Sequence, residues 1–257
     1  MRVALADVGR RGRMSLVFSL QNGRTILKDT YCEVPFKITR LLNPDASHPH
    51  LILMQCTAGL FGGDAVESSI RVEKGASVRI TQQSATKVHP SQDRQANQVN
   101  RIYVEAGASL EIYLEPIIPF AESRLNQSTR IEVDAGGELT YWEGFMPGRV
   151  GRGESWRFRE LTSETLLYAG GRLSYLDRFR LLENGGAASR WAMGSGSYMG
   201  TGLVLSPRAK GAAEKLHEAL PEAGVDALSE TLTAVRVVTT DGPEFHRCRK
   251  VFVNRGN

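Results

Sequence analysis

Three similar nonapeptides decide the fold of this chain: VEKGASVRI at residues 72–80, VEAGASLEI at 104–112 and VDAGGELTY at 133–141. Each contains a glycine turn followed by alternating apolar residues, which is the pattern of a strand that begins after a tight turn. The unit returns after 32 and then 29 residues, and such regular self-similarity indicates stacked supersecondary units. We therefore predict a mainly β fold built from stacked, β-helix-like strand-turn-strand repeats.

The segments around the first nonapeptide also predict strands and turns. GLFGGD at residues 59–64 is a glycine-rich turn that ends in an acid. Near the N-terminus, Met14, Leu16, Phe18 and Leu20 fall on one face of a half-buried strand, and Asn22-Gly23 is a hairpin signal after it. The body of the chain is accordingly expected to be strand and turn almost throughout.

The last fifth of the chain predicts two short C-terminal α-helices. Ser206 suits an N-cap with Pro207 at the first helical position, and apolar residues then recur at helical spacing up to Pro221. A second helix after Asp241 would carry Phe245 and its apolar neighbours, although alternating valines near the end also permit a strand there.

Length and composition favour one domain over residues 1–257, with a β-repeat body at about 12–205 and a helical part at about 206–257. The net charge is only +4, and the basic residues are scattered among 28 acids, so no nucleic-acid partner is expected. Neither a signal peptide nor an apolar run of membrane-spanning length is visible, and the three cysteines form no C-x-x-C pair. These features predict a cytoplasmic protein with reduced thiols and no membrane partner.

An enzyme needs a convergent set of catalytic groups, and this sequence offers few. The glycine-rich turn lacks the Lys-Ser/Thr ending of a P-loop. Glu115, Glu122 and Glu143 each follow an apolar segment, and corresponding corners of stacked repeats lie near one another. These carboxylates are candidates for one row of polar side chains through the stack, or they are ordinary corner residues that face water. A β-helical carbohydrate-active enzyme is the alternative, but it needs paired carboxylates in an aromatic groove and aromatic residues are only 7%.

Five short segments form an ordered series along the chain. They are GLFGGD at residues 59–64, QQSATKVH at 82–89, EPIIPFAE at 115–122, GRVGRGE at 148–154 and DRFRL at 177–181. In this order and at this spacing they resemble the UreD family, also called UreH, of urease accessory proteins. The resemblance runs from residue 12 to about 205 and continues more weakly to the end.

The resemblance implies that the chain is not an enzyme but a nickel metallochaperone scaffold that serves in the assembly of the dinuclear nickel centre of urease. Proteins of this family dock on apo-urease and recruit UreF, which binds the nickel-carrying GTPase UreG. The implied assembly is a dimer of heteromeric accessory complexes in the cytoplasm. Nickel would pass through transiently, including by an internal channel, and no cofactor would stay bound.

A nickel conduit must bind its cargo weakly enough to release it, which predicts scattered single ligands and not a closed site. With the resemblance as a guide, the predicted nickel path consists of Asp64, Glu115, Glu122 and Glu143, with His89 as a way-station. The predicted lining of the same wall is Ser84, Thr86 and Lys87. Partner binding is assigned to the C-terminal helices and to the loop of Arg149, Arg152 and Glu154, where the alternative is a turn held by arginine–acid pairs.

Overall fold

The computed structural model describes residues 9–183 and 196–254, and its strands wind into a β-solenoid of about four turns. This confirms the prediction of a mainly β fold with stacked repeats and two C-terminal helices. In chain order the strands are β1 (Arg11–Gln21), β2 (Arg24–Cys32), β3 (Phe36–Ile38), β4 (His50–Gln55), β5 (Ala65–Val72), β6 (Ser77–Gln82), β7 (Thr86–Val88), β8 (Ala96–Val104), β9 (Ser109–Tyr113), β10 (Ile117–Pro119), β11 (Arg124–Val133), β12 (Glu138–Phe145), β13 (Gly148–Arg149), β14 (Glu154–Ser155), β15 (Glu160–Ala169), β16 (Arg172–Leu182), β17 (Tyr198–Leu205), β18 (Gly224–Ser229) and β19 (Leu232–Thr239).

Two sheets face each other across the interior. Sheet 1 has seven strands in the order β16-β15-β11-β8-β5-β1-β2. Sheet 2 has the order β18-β19-β17-β12-β9-β6-β4-β3, and the short strands β7 and β10 join it at one side. Neighbouring strands of the central coils are parallel in both sheets, as expected for a chain that winds in one direction.

The three nonapeptides form the turns that carry the chain from sheet 1 to sheet 2. Gly75, Gly107 and Gly136 occupy the left-handed region with φ of 76°, 70° and 82°. Only glycine adopts this conformation without a steric penalty, so its recurrence fixes where each coil turns. The strands that follow align residue for residue, with Ser77 beside Ser109 and Ser109 beside Glu138.

Antiparallel strands close both ends of the parallel stack. At the N-terminal end, β1 and β2 form the hairpin predicted at Asn22 and Gly23. Leu20 lies next to the hairpin turn at the end of β1 and is exposed, contrary to the prediction, whereas Met14, Leu16 and Phe18 are buried as predicted. At the other end β15 pairs with β16, and β17 pairs with β19.

The two C-terminal helices are α1 (Ala209–Ala219) and α2 (Gly242–Asn254). Helix α1 begins later than predicted, because Ser206 accepts the backbone N–H of Arg208 with its hydroxyl and that of Ala209 with its carbonyl, in a turn that precedes the helix. In α2, Phe245 and Phe252 lie on one buried side, which excludes the strand alternative for this segment.

The aromatic side of α2 packs on the outer face of sheet 2, where glycines make room for it. A Cβ atom at Gly202 would lie 2.4 Å from the ring of Phe252, and one at Gly144 would lie 2.5 Å from the ring of Phe245. The ring centroid of Trp142 lies 5.1 Å from that of Phe252. Side chains at these glycines would push the helix off the sheet.

Candidate functional site

A layer of polar side chains separates two apolar clusters in the interior of the solenoid. Across sheet 1, five residues occupy one register row: Ser68, Asn100, Thr129, Thr165 and Asp177. On one side of this row, the next inward row is apolar and runs from Ile70 to Leu167. On the other side is a second polar row of Gln98, Gln127 and Ser163, and beyond it lies an apolar row from Ala96 to Leu181.

Sheet 2 supplies the facing side of this layer. Glu143 of β12 is beside Thr201 of β17, which is beside Arg236 of β19. We call the combined set the polar layer, and its members are Ser68, Gln98, Asn100, Gln127, Thr129, Glu143, Ser163, Thr165, Asp177, Thr201 and Arg236.

Side-chain hydrogen bonds connect the layer from strand to strand. Ser68 donates its hydroxyl to Asn100 Oδ1 at 2.8 Å, and Asn100 Nδ2 donates to Thr129 Oγ1 at 3.1 Å. In the neighbouring row, Gln98 Nε2 donates to Gln127 Oε1 at 3.4 Å. Buried polar groups are tolerated when they are bonded in this way, so the layer is a continuous polar seam through an otherwise apolar core.

Glu143 is the buried acid of the layer. It lies within β12 and not at a corner as predicted, and its side chain points inward with 4% of the residue exposed. Gln127 Nε2 donates to its Oε2 at 2.9 Å and Thr165 Oγ1 donates to its Oε1 at 2.8 Å. Burial raises the pKa of Glu143, while the hydrogen bond from Thr165 opposes the shift. The site therefore holds a carboxyl group whose negative charge is only partly stabilised.

A small cavity adjoins the layer. It has a volume of about 50 Å³ and is lined in part by Gln82, Gln98, Asn100 and Tyr141. Since one water occupies roughly 10–15 Å³ by this measure, the cavity has room for about three to five water molecules. Gln98 Oε1 is buried and has no hydrogen-bond partner among the described residues, so it is one of the polar atoms that would hold such water.

An ion pair between Asp177 and Arg236 lies at the end of the layer and joins the two sheets. Their side chains are 19% and 33% exposed, which places the pair between the interior and solvent. Arg236 Nη1 also lies 2.9 Å from the sulfur of Met199. Burial and the neighbouring Asp177 carboxylate raise the pKa of Tyr175 to about 12, so this hydroxyl stays protonated beside the pair.

Asp64, the first acid of the predicted nickel path, holds the glycine-rich turn. Its buried side chain accepts the backbone N–H of Arg10 at Oδ1 (2.8 Å) and that of Phe61 at Oδ2 (2.9 Å). A carboxylate that accepts two backbone N–H groups satisfies donors that would otherwise be buried without partners. The structure thus gives Asp64 a role in the turn.

Glu115 and Glu122, the next two predicted acids, belong to separate ion pairs. Glu115 lies 2.8 Å from Arg249 and ties α2 to the solenoid, whereas Glu122 accepts a hydrogen bond from Arg159 Nε at 2.6 Å. Each predicted acid has its own partner, so these contacts do not bring the four acids of the predicted path into one row. Among residues 9–183 and 196–254, no three His, Cys, Asp or Glu side chains are grouped so that they could hold a metal ion.

His89 lies in an aromatic stack. Its ring is parallel to that of Phe61 with centroids 4.2 Å apart, and it meets the ring of Phe120 edge-on at 5.0 Å. Its Nε2 lies 2.9 Å from the backbone carbonyl of Ala58, so that nitrogen donates in the tautomer which makes this bond. In this tautomer the remaining ring nitrogen is the one that could bind a metal.

The predicted wall residues separate into an inner and an outer group. Thr86 is buried, and its hydroxyl accepts a hydrogen bond from Gln82 Nε2 at 3.0 Å, one step from the cavity beside the polar layer. Ser84 and Lys87 are exposed on the outside, because strand alternation turns position 87 away when position 86 points inward. The structure therefore places Thr86 inside and the other two outside, and a shared role for the three stays a prediction.

The glycine–arginine loop is a small hairpin of β13 and β14 joined by a 3₁₀ turn at Val150–Arg152. Arg149 Nε donates to Glu154 Oε2 at 2.7 Å, and its guanidinium carbon lies 4.1 Å from the ring centroid of Phe120. Hydrogen bonding to Arg149 lowers the pKa of Glu154. This pair matches the structural alternative for the loop, while Arg152 and Val150 remain exposed.

Sequence reasoning did not identify most of the polar layer, although a signal for it exists. Gln98, Gln127 and Ser163 interrupt the inward apolar alternation of three separate strands at matching positions, 29 and 36 residues apart. In a stacked fold, polar residues that recur with the repeat period at inward positions predict a buried polar row. This signal appears only after the strands have been aligned by their turns.

Together, the fold and the site define a β-solenoid scaffold with a hydrogen-bonded polar interior and a helical end. Comparison with known proteins gives the family. The UreD urease accessory protein family matches residues 10–254, so this chain belongs to that family.

Individual relatives carry the same description. The chain is 39% identical to the urease accessory protein UreD of Trichodesmium erythraeum over 148 residues, which cover 56% of this chain and 53% of that protein. It is 33% identical to UreD of Deinococcus radiodurans over 207 residues, or 79% of this chain and 74% of that protein. The chain spans less than two thirds of the T. erythraeum protein and of the Acetivibrio thermocellus UreD, of which 65% is covered.

The family and these relatives are described as urease accessory proteins, which names an accessory role and not a catalytic activity. That result disfavours the carbohydrate-active alternative. Among the described residues, neither helix has the length and apolar character needed to cross a membrane.

Proposed function

We propose that this chain is a scaffold for nickel insertion into urease and that its polar layer is the path of the nickel ion. In this proposal the chain docks on apo-urease and recruits UreF, and through UreF the GTPase UreG. It acts in the cytoplasm as one domain, within a dimer of heteromeric accessory complexes. Nickel is its transient cargo and no cofactor remains bound.

The observation that carries the proposal is the buried position of Glu143 within the polar layer, where it accepts hydrogen bonds from Gln127 and Thr165. Hydroxyl and amide groups surround this carboxyl, and oxygen ligands of this kind bind divalent cations. Because no three metal-binding side chains are grouped among the described residues, any site here has few strong ligands. Weak single ligands favour passage of the ion over its retention.

For docking, we propose the exposed part of the glycine–arginine loop and the outer sides of α1 and α2. Arg152 and Val150 are exposed there, while Arg149 and Glu154 hold the loop in shape through their ion pair. A rigid loop with an exposed cation and an exposed apolar side chain suits recognition of a partner surface.

Co-purification tests the docking part. The full chain is expressed with UreF and the urease subunits of the same organism, and complexes are isolated through a tag on this chain. We expect a stoichiometric complex with both partners and weaker capture by Arg152→Glu. If folded wild-type protein captured neither UreF nor apo-urease, the scaffold proposal would be overturned.

Nickel content of the matured urease tests the path. Glu143→Gln keeps the size of the side chain and its two hydrogen-bond partners, because the Thr165 hydroxyl is able to accept as well as donate. We expect this variant to bind its partners normally and to lower the nickel content of urease. The matched control is Glu164→Gln, which changes a neighbouring acid on the outer face of β15 that is paired with Arg178. Equal nickel loading by both variants would contradict the path.

A further inference from the structure

The Asp177–Arg236 ion pair carries an inference that rests on the proposed nickel path and adds a device to it. We propose that Arg236 is the residue that keeps divalent cations out of the polar layer. With its guanidinium on Asp177 the layer rejects such ions, and displacement of the guanidinium opens a site between the carboxylates of Asp177 and Glu143. Arg236 is thus a specificity-determining residue that acts by occupying Asp177.

Register places the two carboxylates on opposite sides of one threonine. Thr165 is the strand partner of Asp177 on sheet 1, and its hydroxyl donates to Glu143 Oε1 at 2.8 Å. Arg236 reaches the same place from sheet 2, where it follows Thr201 in the row that begins at Glu143. The guanidinium therefore occupies the end of the layer at which both acids would face an incoming cation.

Charge balance distinguishes the two states of this site. While Arg236 is seated, its single positive charge is paired with Asp177, and two carboxylates share that one cation. The pKa of Glu143 is raised chiefly by burial and further by Asp177, and the charge of Arg236 offsets only part of this shift. A divalent cation in place of the guanidinium would balance both carboxylates. An arginine side chain stays protonated in proteins, so only its movement removes its repulsion of cations.

The contacts of Arg236 suit a group that can be displaced. One end of the guanidinium meets the sulfur of Met199, and a thioether is a weak acceptor. The side chain is one-third exposed, so a carboxylate on a docked protein is able to reach it. Such an acceptor would replace the Met199 contact with a charge-assisted bond and would compete with Asp177 for the guanidinium.

Titration of the purified full chain with Ni²⁺ alone tests the inference by calorimetry. We expect Arg236→Gln to raise nickel affinity about tenfold or more over wild type, equivalent to ~1.4 kcal/mol. The double variant Asp177→Asn with Arg236→Gln should lose that gain, because the exposed acid has been removed. Arg178→Gln is the matched control, since it breaks the neighbouring arginine–acid pair on the outer face of the same strand. No gain in folded Arg236→Gln, or an equal gain in the double variant or the control, would overturn the inference.

Two further measurements keep the test decisive. If Arg236→Gln does not fold, Arg236→Lys replaces it: this side chain keeps the charge but makes a single-point contact, and we expect a smaller gain in the same direction. Absence of that gain in folded protein counts against the inference. Urease nickel loading is measured in parallel. If Arg236→Gln gains nickel affinity while Glu143→Gln leaves urease loading unchanged, the proposed nickel path is wrong and the role of Arg236 stands. If Arg236→Gln gains no affinity while Glu143→Gln lowers loading, only the role of Arg236 is rejected.

Discussion

Two regions of this molecule hold carboxylates in opposite ways. At the corners of the coils, Asp64 accepts backbone N–H groups, and Glu115 and Glu122 pair with arginines. In the polar layer, Glu143 is surrounded by an amide and a hydroxyl, and burial raises its pKa. Corner acids are satisfied by backbone N–H groups or arginines, whereas the interior acid accepts hydrogen bonds from neutral side chains and burial favours its protonated form.

This difference gives the two groups of acids different expected responses to substitution. Removing a satisfied acid leaves its donors or its arginine without a partner, so the expected result is a loss of stability. Removing an unsatisfied acid relieves the folded state of a poorly solvated charge, so the expected result is a loss of function with little loss of stability. Substitutions in the two regions therefore separate structural acids from functional ones.

The largest effect is expected at Asp64. Asp64→Ala leaves the N–H groups of Arg10 and Phe61 without their acceptor, and we expect a loss of about 2–4 kcal/mol in the free energy of unfolding. Urea denaturation measures it. Asp93→Ala, at an exposed acid, is the control and should change stability by less than about 0.5 kcal/mol. Similar results for the two variants would refute the structural role of Asp64.

A smaller effect is expected at Glu115, which joins α2 to the solenoid. Both it and Arg249 are about one-fifth exposed, so Glu115→Ala strands a half-buried guanidinium and should cost about 1–2 kcal/mol. Relative to wild type, amide hydrogen exchange in this variant should become faster in α2 and stay unchanged in β8. Glu244→Ala, which removes a long surface contact with Arg247, is expected to leave exchange in α2 nearly unchanged. Uniform exchange changes along the chain would argue against local attachment.

For Glu143, the sign of the pH dependence is the test. Because its folded pKa lies above the unfolded value, the folded state binds more protons, and stability falls as pH rises through the folded pKa. Glu143→Gln lacks this titration and should be more stable than wild type at neutral and alkaline pH, by less than the loss at Asp64. The difference should vanish in acid. Thermal unfolding across pH measures it, and a variant less stable than wild type at neutral pH would contradict the account.

The smallest effect is expected on the outer face of sheet 1. Arg101 and Glu67 form an ion pair with side chains 56% and 47% exposed. Exposed pairs of this type contribute about 0–1 kcal/mol, so Arg101→Gln should shift the urea midpoint only slightly and leave urease nickel loading unchanged. A marked loss of loading would show that the outer face also takes part in function.

The turns made most of the fold predictable from the sequence. Glycines at matching positions of the nonapeptides enforce a left-handed backbone, and a buried face of aromatics marks α2, so both are visible locally. The polar layer is not local. Asp177 and Arg236 are 59 residues apart and meet across two sheets, so neither residue type nor spacing reveals their pairing.

Glu143 shows the same limit at a single residue. Its place after an apolar segment makes it a candidate from the sequence, but does not show that it lies within β12. Glu115 and Glu122 also follow apolar segments, and the local sequence does not show whether an acid will meet backbone N–H groups, an arginine or neutral side chains. That depends on strands that are distant in the chain.

The stacked register also gives the polar layer a length. Five successive strands of sheet 1 carry it from Ser68 to Asp177, and adjacent strands lie about 4.8 Å apart, so the row spans roughly 19 Å. Each coil adds one equal step. The solenoid is therefore a molecular ruler, in which the number of coils sets the distance between the two ends of the layer.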